Sequence, residues 1–197
     1  MSKTEHEKLL AGEEYDYRDP EIQNMLAHAR KYLQIVNTEI DPNKRQHAMK
    51  ELFHHIGKRV AINGQIKVLY GNHISLGDDD FINDGCRFQD ANLITLGDRV
   101  VIAPDCKFYC GNHAIDANKR YGTRKNGDSY LISYTKPITV GNDVWIGGNV
   151  TIIGDVHIGN NVIIGAGAIV VNDVPDNSVV AGVPAKVIKR LPELSKN

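Results

Sequence analysis

Between Ile138 and Asp173 the apolar positions recur every sixth residue. The stretch divides into ITVGND, VWIGGN, VTIIGD, VHIGNN, VIIGAG and AIVVND. First places hold Ile138, Val144, Val150, Val156, Val162 and Ala168; third places hold Val140, Ile146, Ile152, Ile158, Ile164 and Val170. The last two places are almost entirely Gly, Asn and Asp. Six is neither a helical period nor simple strand alternation, and it predicts short strands broken by a tight corner every sixth residue. First and third residues of an extended hexad share one face and can both turn inward, while the second faces out. Corners often require φ > 0, which Gly adopts freely and Asn or Asp tolerate. Three hexads make a triangular coil. A single coil cannot bury its apolar face, so coils must stack, at about 4.8 Å per step. The expected fold class is mainly β, a parallel β-helix.

Residues 4–57 lack this repeat. Ile22, Met25, Leu26, Ala29, Leu33 and Val36 fall at helical spacing. Asp19-Pro20 and Asp41-Pro42 each read as an N-cap followed by proline at the first helical position. The pattern predicts a short helix and then two longer ones, the last ending near Gly57, packed on the side of the coils. Strand character begins at Val60. The phrases Ile74-Ser75-Leu76-Gly77, Ile94-Thr95-Leu96-Gly97 and Ile138-Thr139-Val140-Gly141 repeat one another. Counting forward from Ile74 makes Asp80 and Cys86 first-place residues; counting back from Val100 makes them Ile94, Phe88 and Ile82. The phase must therefore slip by two residues between about 80 and 93, as a bulge or short insertion would make it.

The frame is clean again through VVIAPD and CKFYCG, then breaks just after His113. Residues 114–136 contain no hexad and are rich in Lys, Arg and Tyr. A structureless insert of that length inside a compact repeat is usually functional or disordered. Past Asp173 the pattern dissolves into a basic tail with Lys186, Lys189 and Arg190; a terminal strand or helix is expected to cover the open edge of the last coil. The organisation expected is a helical segment over 1–57, a β-helix over 58–190 with the insertion 114–136, and a tail over 191–197.

Composition narrows the classes of function. A net charge of −1 implies no general nucleic-acid-binding surface. The polar start MSKTEHEKLL has no apolar core of a signal peptide, and no run is long enough to span a membrane, so a cytoplasmic protein is expected. Cys86, Cys106 and Cys110 are odd in number without CxxC spacing, which suits reduced thiols; Cys106 takes an inward place, which favours packing. His113 takes an outward place where the repeat breaks, and imidazole suits proton transfer near neutrality. His73 and His157 also lie in the repeat region. Position alone does not choose among the three, although the adjacent insert weakly favours His113.

The phrases LLAGEEYDYRDPE, GDRVVIAPDCKFYCGNHAID, KPITVGNDVWIGGNVTI, VHIGNNVIIGAGAIVVNDVP and VVAGVPAKVIKRL, in that order, resemble the maltose and galactoside O-acetyltransferases among the hexapeptide-repeat acyltransferases, over nearly the whole chain. The resemblance implies a left-handed β-helix, a homotrimer with sites between subunits, and acetyl-CoA as co-substrate with no metal. It places His113 on the general base and the Gly148 amide on the oxyanion donor. Asn83, Asp90 and Asp16 fall on or beside acceptor contacts, Tyr17 standing in strict register with the last of these. Trp145, at an outward place, could wall the cleft. Gly148, Ala166, Val171, Asn172, Lys186 and Lys189 fall on the CoA groove. Two departures stand beside the acceptor pocket: Ala114 follows the histidine where the family has Pro, and the insert is longer than in close relatives. The acceptor could accordingly be a sugar or another hydroxylated small molecule, with an amino sugar, an antibiotic or serine as alternatives. A γ-type carbonic anhydrase, needing three converging histidines on zinc, and a non-catalytic scaffold are the readings outside this class.

Overall fold

The computed structural model describes residues 2–124 and 126–194; Lys125 of the insert and residues 195–197 of the tail lie outside them. The chain folds as a left-handed parallel β-helix of about six coils, preceded by three helices. Its three faces are parallel sheets. The first carries His55–Ile56, Ile74–Leu76, Ile94–Leu96, Ile138–Val140 and Val156–Ile158. The second carries Ala61–Ile62, Phe81–Ile82, Val101–Ile102, Trp145–Ile146, Val162–Ile164 and Ser178–Ala181. The third carries Lys67–Val68, Arg87–Gln89, Lys107–Tyr109, Thr151–Ile153 and Ile169–Val170.

First- and third-place residues from Val144 to Val170 are buried, as the hexads require. The corners between first and second faces take the left-handed conformation at Asp79, Arg99, Asp143 and Asn161, with φ between 52° and 62°. A ladder compensates. The side chain of Asn142 accepts from the Asp98 N–H, Asn160 from Asn142 and Asp176 from Asn160, so each corner's amide is closed by the next coil.

Register locates the slip. Ile138 pairs with Val156, so a coil there is three hexads long. Ile74 pairs with Ile94, which makes the earlier coil longer by two. Asp80 and Cys86 are buried first-place residues, and the two extra residues fall at Asp90–Leu93, inside the expected window.

The helices are α1 (Glu5–Leu10), α2 (Pro20–Thr38) and α3 (Pro42–Leu52). Asp19 and Asp41 cap α2 and α3 from side-chain oxygens, with proline at the first turn. The last helix stops at Leu52 rather than near Gly57, because the His54 N–H is taken by the Ile74 carbonyl at 3.0 Å and the chain joins the first sheet. Ala29, Val36, Ala48, Met49 and Leu52 pack into the same core as the first coils. At the other end Lys186–Arg190 pairs antiparallel with Ser178–Ala181 and covers the open edge of the second sheet. No helix among the described residues is long and apolar enough to cross a membrane.

The insert is not structureless. Gly111–Asn112 and Tyr134–Thr135 pair antiparallel as a stem, and beyond it Tyr121–Thr123 and Ser129–Leu131 form a hairpin. Pairing satisfies the backbone groups that an extended loop would leave to water.

Candidate active site

His113 stands where the stem leaves the corner between third and first faces. It is exposed, and its Nδ1 lies 2.9 Å from the Ile132 carbonyl on the returning limb of the insert. A carbonyl can only accept, so Nδ1 carries the proton and Nε2 is left with a free lone pair. The side chain borders a cleft of about 310 Å³ with Tyr15, Gln89, Ala91, Tyr109 and Ser133. Arg120 braces the turn after His113, its Nε and Nη2 each donating at 2.8 Å to the Ala114 and Ile115 carbonyls. Ala114 therefore replaces a proline in a segment that a guanidinium already stiffens. The sequence singles out neither Arg120 nor Ile132; the basic insert is the only signal, and their roles depend on how the insert folds back.

The N-terminal segment forms the neighbouring wall. The Thr135 hydroxyl donates to the Leu9 carbonyl, and Asn92 Nδ2 reaches the Leu10 carbonyl and Thr135 Oγ1 at 3.1 and 3.0 Å. Thus α1, the second coil's slip and the root of the insert meet at one corner. His6 and His73 add a further tie, with Nε2 atoms 2.9 Å apart and rings stacked. Burial lowers the His73 pKa to about 4, so it is neutral at physiological pH.

Asp16 lies in an adjoining cleft of about 480 Å³ with Glu5, Lys8, Glu14 and Tyr130. Arg124 of the hairpin holds its carboxylate through two bonds, 2.7 and 3.2 Å, and keeps it below the usual carboxylate range. Arg124 also lies 4.4 Å over the Tyr130 ring, and the Tyr130 hydroxyl donates to Glu14. The carboxylate expected to meet the acceptor is engaged by the insert instead.

Asp90 does not stand as an acceptor contact. It is 0 % exposed, and its carboxylate accepts from the Leu69, Tyr70 and Gly71 N–H groups at 2.6–3.3 Å. The coil before it also runs two residues long, His55 pairing with Ser75, and its excess leaves those amides without strand partners, which Asp90 closes. Burial pushes its carboxyl up to about 6, the backbone bonds pulling the other way.

The remaining candidates sit on other edges. Gly148 and Ala166 occupy successive coils at the corner between second and third faces, and Asn83 holds the same corner two coils below. The Gly148 N–H has no protein partner among the described residues. Gly147 beside it must lack a side chain, since a Cβ there would lie 2.6 Å from the Ala166 nitrogen. Val171 and Asn172 are exposed at the corner between third and first faces, above His113, and Lys186 and Lys189 are exposed on the terminal strand. Trp145, 54 % exposed, belongs to an outward column with Phe81, Val101, Ile163 and Val179. One whole face separates Gly148 from the corner carrying His113, roughly 20 Å for six extended residues. A single chain does not bring the two together. Among the described residues no cluster of three His, Cys, Asp or Glu is placed to hold a metal, and His73 is committed to His6 and to the Asp90 carbonyl.

The fold is that of the hexapeptide-repeat acetyltransferases. Residues 8–57 match the maltose acetyltransferase hexapeptide capping motif, and residues 137–172 match six repeats of the bacterial transferase hexapeptide. The galactoside O-acetyltransferase of Escherichia coli is 37 % identical over 154 residues, 78 % of this chain and 72 % of its own. A maltose O-acetyltransferase from Clostridium difficile superposes with a TM-score of 0.88 at 36 % identity, covering 98 % of this chain and 100 % of the other. A hexapeptide-repeat acetyltransferase from Vibrio cholerae, solved in complex with acetyl-CoA, superposes at 0.86 with 33 % identity over 97 % of this chain and 100 % of its own. The chain belongs to the maltose and galactoside acetyltransferase family of hexapeptide-repeat acetyltransferases.

Proposed function

We propose that this chain transfers the acetyl group of acetyl-CoA to a hydroxyl of a sugar or a similar small acceptor, with His113 as general base. The observation that carries the reading is the Nδ1 contact of His113 with the Ile132 carbonyl. It fixes the tautomer and leaves Nε2 basic beside a cleft. His113 takes the acceptor's hydroxyl proton as that oxygen attacks the thioester carbonyl. The Gly148 amide donates to the oxyanion that forms, a developing charge that a preorganised N–H stabilises. Collapse breaks the carbon–sulfur bond, and the proton on Nε2 goes to the departing thiolate. The products are the acetyl ester and free CoA.

Because Gly148 and His113 occupy different corners, the reading needs a second copy whose corner faces the first. The apolar column, exposed at Trp145 and Val101 and half-buried at Phe81, Ile163 and Val179, supports such a contact, since a contiguous apolar surface patch marks interaction sites. A ring of three copies, each giving one corner to each of two clefts, closes without an open end. Gly148 and Ala166 would lie along the pantetheine arm, with Val171 and Asn172 beside it. Lys186 and Lys189 carry the positive charge that suits the nucleotide phosphates. Asn83 would reach the acceptor from the neighbouring copy.

The test is direct quantification of CoA released from acetyl-CoA across glucose, maltose, galactosides, amino sugars, chloramphenicol and serine, beside His113→Ala and with sedimentation of the native protein. The reading expects a trimer and turnover on a sugar that falls by orders of magnitude in the variant. A monomer, or turnover indifferent to His113, would overturn it.

A further inference from the structure

The Gly147–Gly148 peptide is an unusual place for a preorganised donor. Glycine on both sides leaves the peptide plane free to rotate about soft φ and ψ angles. The peptide is planar and trans, so its C=O and N–H point in opposite directions and whatever holds one aims the other. Here the carbonyl of Gly147 turns into the core. Among the described residues its one hydrogen-bond partner is the Cys106 thiol, with Sγ 3.1 Å from the oxygen. Cys106 is fully buried one coil below, at the first place of its hexad, where the coil above has Val150. A valine there would leave the carbonyl unpaired.

We propose that Cys106 is a positioning residue for the oxyanion donor. Its S–H anchors the Gly147 carbonyl, which aims the Gly148 N–H outward and polarises it. The proposal rests on the reading that the Gly148 amide meets the oxyanion. Hydrogen bonds in series strengthen one another, so a donor on the carbonyl makes the amide proton a better donor in turn. One coil lower, Cys86 Sγ lies 3.4 Å from the Ala103 carbonyl and touches the Cys106 thiol, so the Cys106 side chain has a second thiol below it and the Gly147 carbonyl above. A thiol that only satisfies an inward carbonyl would cost stability on substitution and leave the rate alone.

The experiment compares Cys106→Val, Cys106→Ala and Cys106→Ser with the native protein, measuring kcat, both KM values, Tm and the Gly148 amide proton shift in the ligand-free protein. Losing one-tenth to three-tenths of what an oxyanion donor contributes corresponds to a roughly two- to eightfold fall in kcat. That fall is expected in Cys106→Val and Cys106→Ala, with KM little changed and the Gly148 amide proton moved upfield. Cys106→Ser, which keeps a donor, should recover most of the rate and return the amide shift toward the native position. Should Cys106→Val not fold, Cys106→Ala against Cys106→Ser makes the same comparison. A native kcat in the folded variants, a change in KM alone, or an unmoved Gly148 resonance would overturn the proposal. A native protein without transferase activity would instead overturn the functional reading, and the positioning role with it.

Discussion

The coils from Ile138 to Asp173 and those from His55 to Leu93 are built to the same triangular plan, yet they differ in length by two residues per turn. In the later coils each step is three hexads, and the interior is filled by Val, Ile and Ala. In the earlier coils each step exceeds three hexads, and the excess brings Asp90, Asn92 and His73 inside. Strict hexads give stacking and evenly repeated corners, among them the one that carries Gly148 and Ala166. The slip breaks the ladder at one corner, exposes backbone amides that a carboxylate must close, and provides the groups to which α1 and the insert attach. The irregular coils carry the cleft's wall, and the regular ones hold its shape.

Substitutions should separate those two jobs. The largest effect is catalytic: His113→Ala is expected to lower kcat by about 10²–10⁴-fold without a change in melting temperature, since the side chain is exposed and general-base catalysis is worth that much. In the regular coils Ile152→Ala should cost about 2–5 kcal/mol in chemical denaturation, by lost burial and a cavity. In the slip Asp90→Ala should cost about 3 kcal/mol although no apolar contact is lost, because two buried N–H groups and one half-buried one lose their acceptor.

A pH experiment sharpens the contrast. His73 has its pKa lowered to about 4 by burial against an ordinary 6.5, so the unfolded chain binds the proton first as pH falls. Its contribution is full above pH 6.5 and is lost progressively down to about pH 4, up to about 3 kcal/mol. The groups facing it are His6, paired in turn with Glu21, together with His54, Asp90 and the Tyr70 ring, which packs edge-on against it. Asp80 and Asp90, each raised to about 6 by burial, act with the opposite sign between their ordinary value and 6. The measurement is therefore the difference between native protein and His73→Gln, which should narrow as the pH drops from 6.5 to 4. The smallest effect is expected at the insert. Arg124→Ala should cost only about 0.5–1 kcal/mol, as partly exposed ion pairs do, while freeing Asp16 and changing the KM for the acceptor. An unchanged acceptor KM would separate the hairpin from the acceptor pocket.

Particular residues divide what the chain announces from what it conceals. His113 is identifiable because the hexad frame runs up to it and stops, which puts it outward at the edge of an insert. The two-residue slip is readable from two incompatible counts that meet between Ile74 and Val100. Asp90, set beside an acceptor contact by resemblance, gives no sign of its burial, because a slip erases the inward–outward alternation on which orientation depends. Asp16 reads without its partner, since Arg124 lies 108 residues away and reaches it only through a folded hairpin.

The sequence alone determined the coil, the inward side chains, the helix caps and the break at His113. Each follows from local rules: strand alternation, the backbone freedom of Gly, Asn and Asp, and the capping geometry of Asp-Pro. Tertiary structure decided the rest: the tautomer of His113 set by Ile132, the Asp16–Arg124 pair, the burial of Asp90 and the thiol beneath the Gly147 carbonyl. These are contacts between elements distant in sequence. Their geometry depends on how coils, helix and insert stack together, and no local period encodes that.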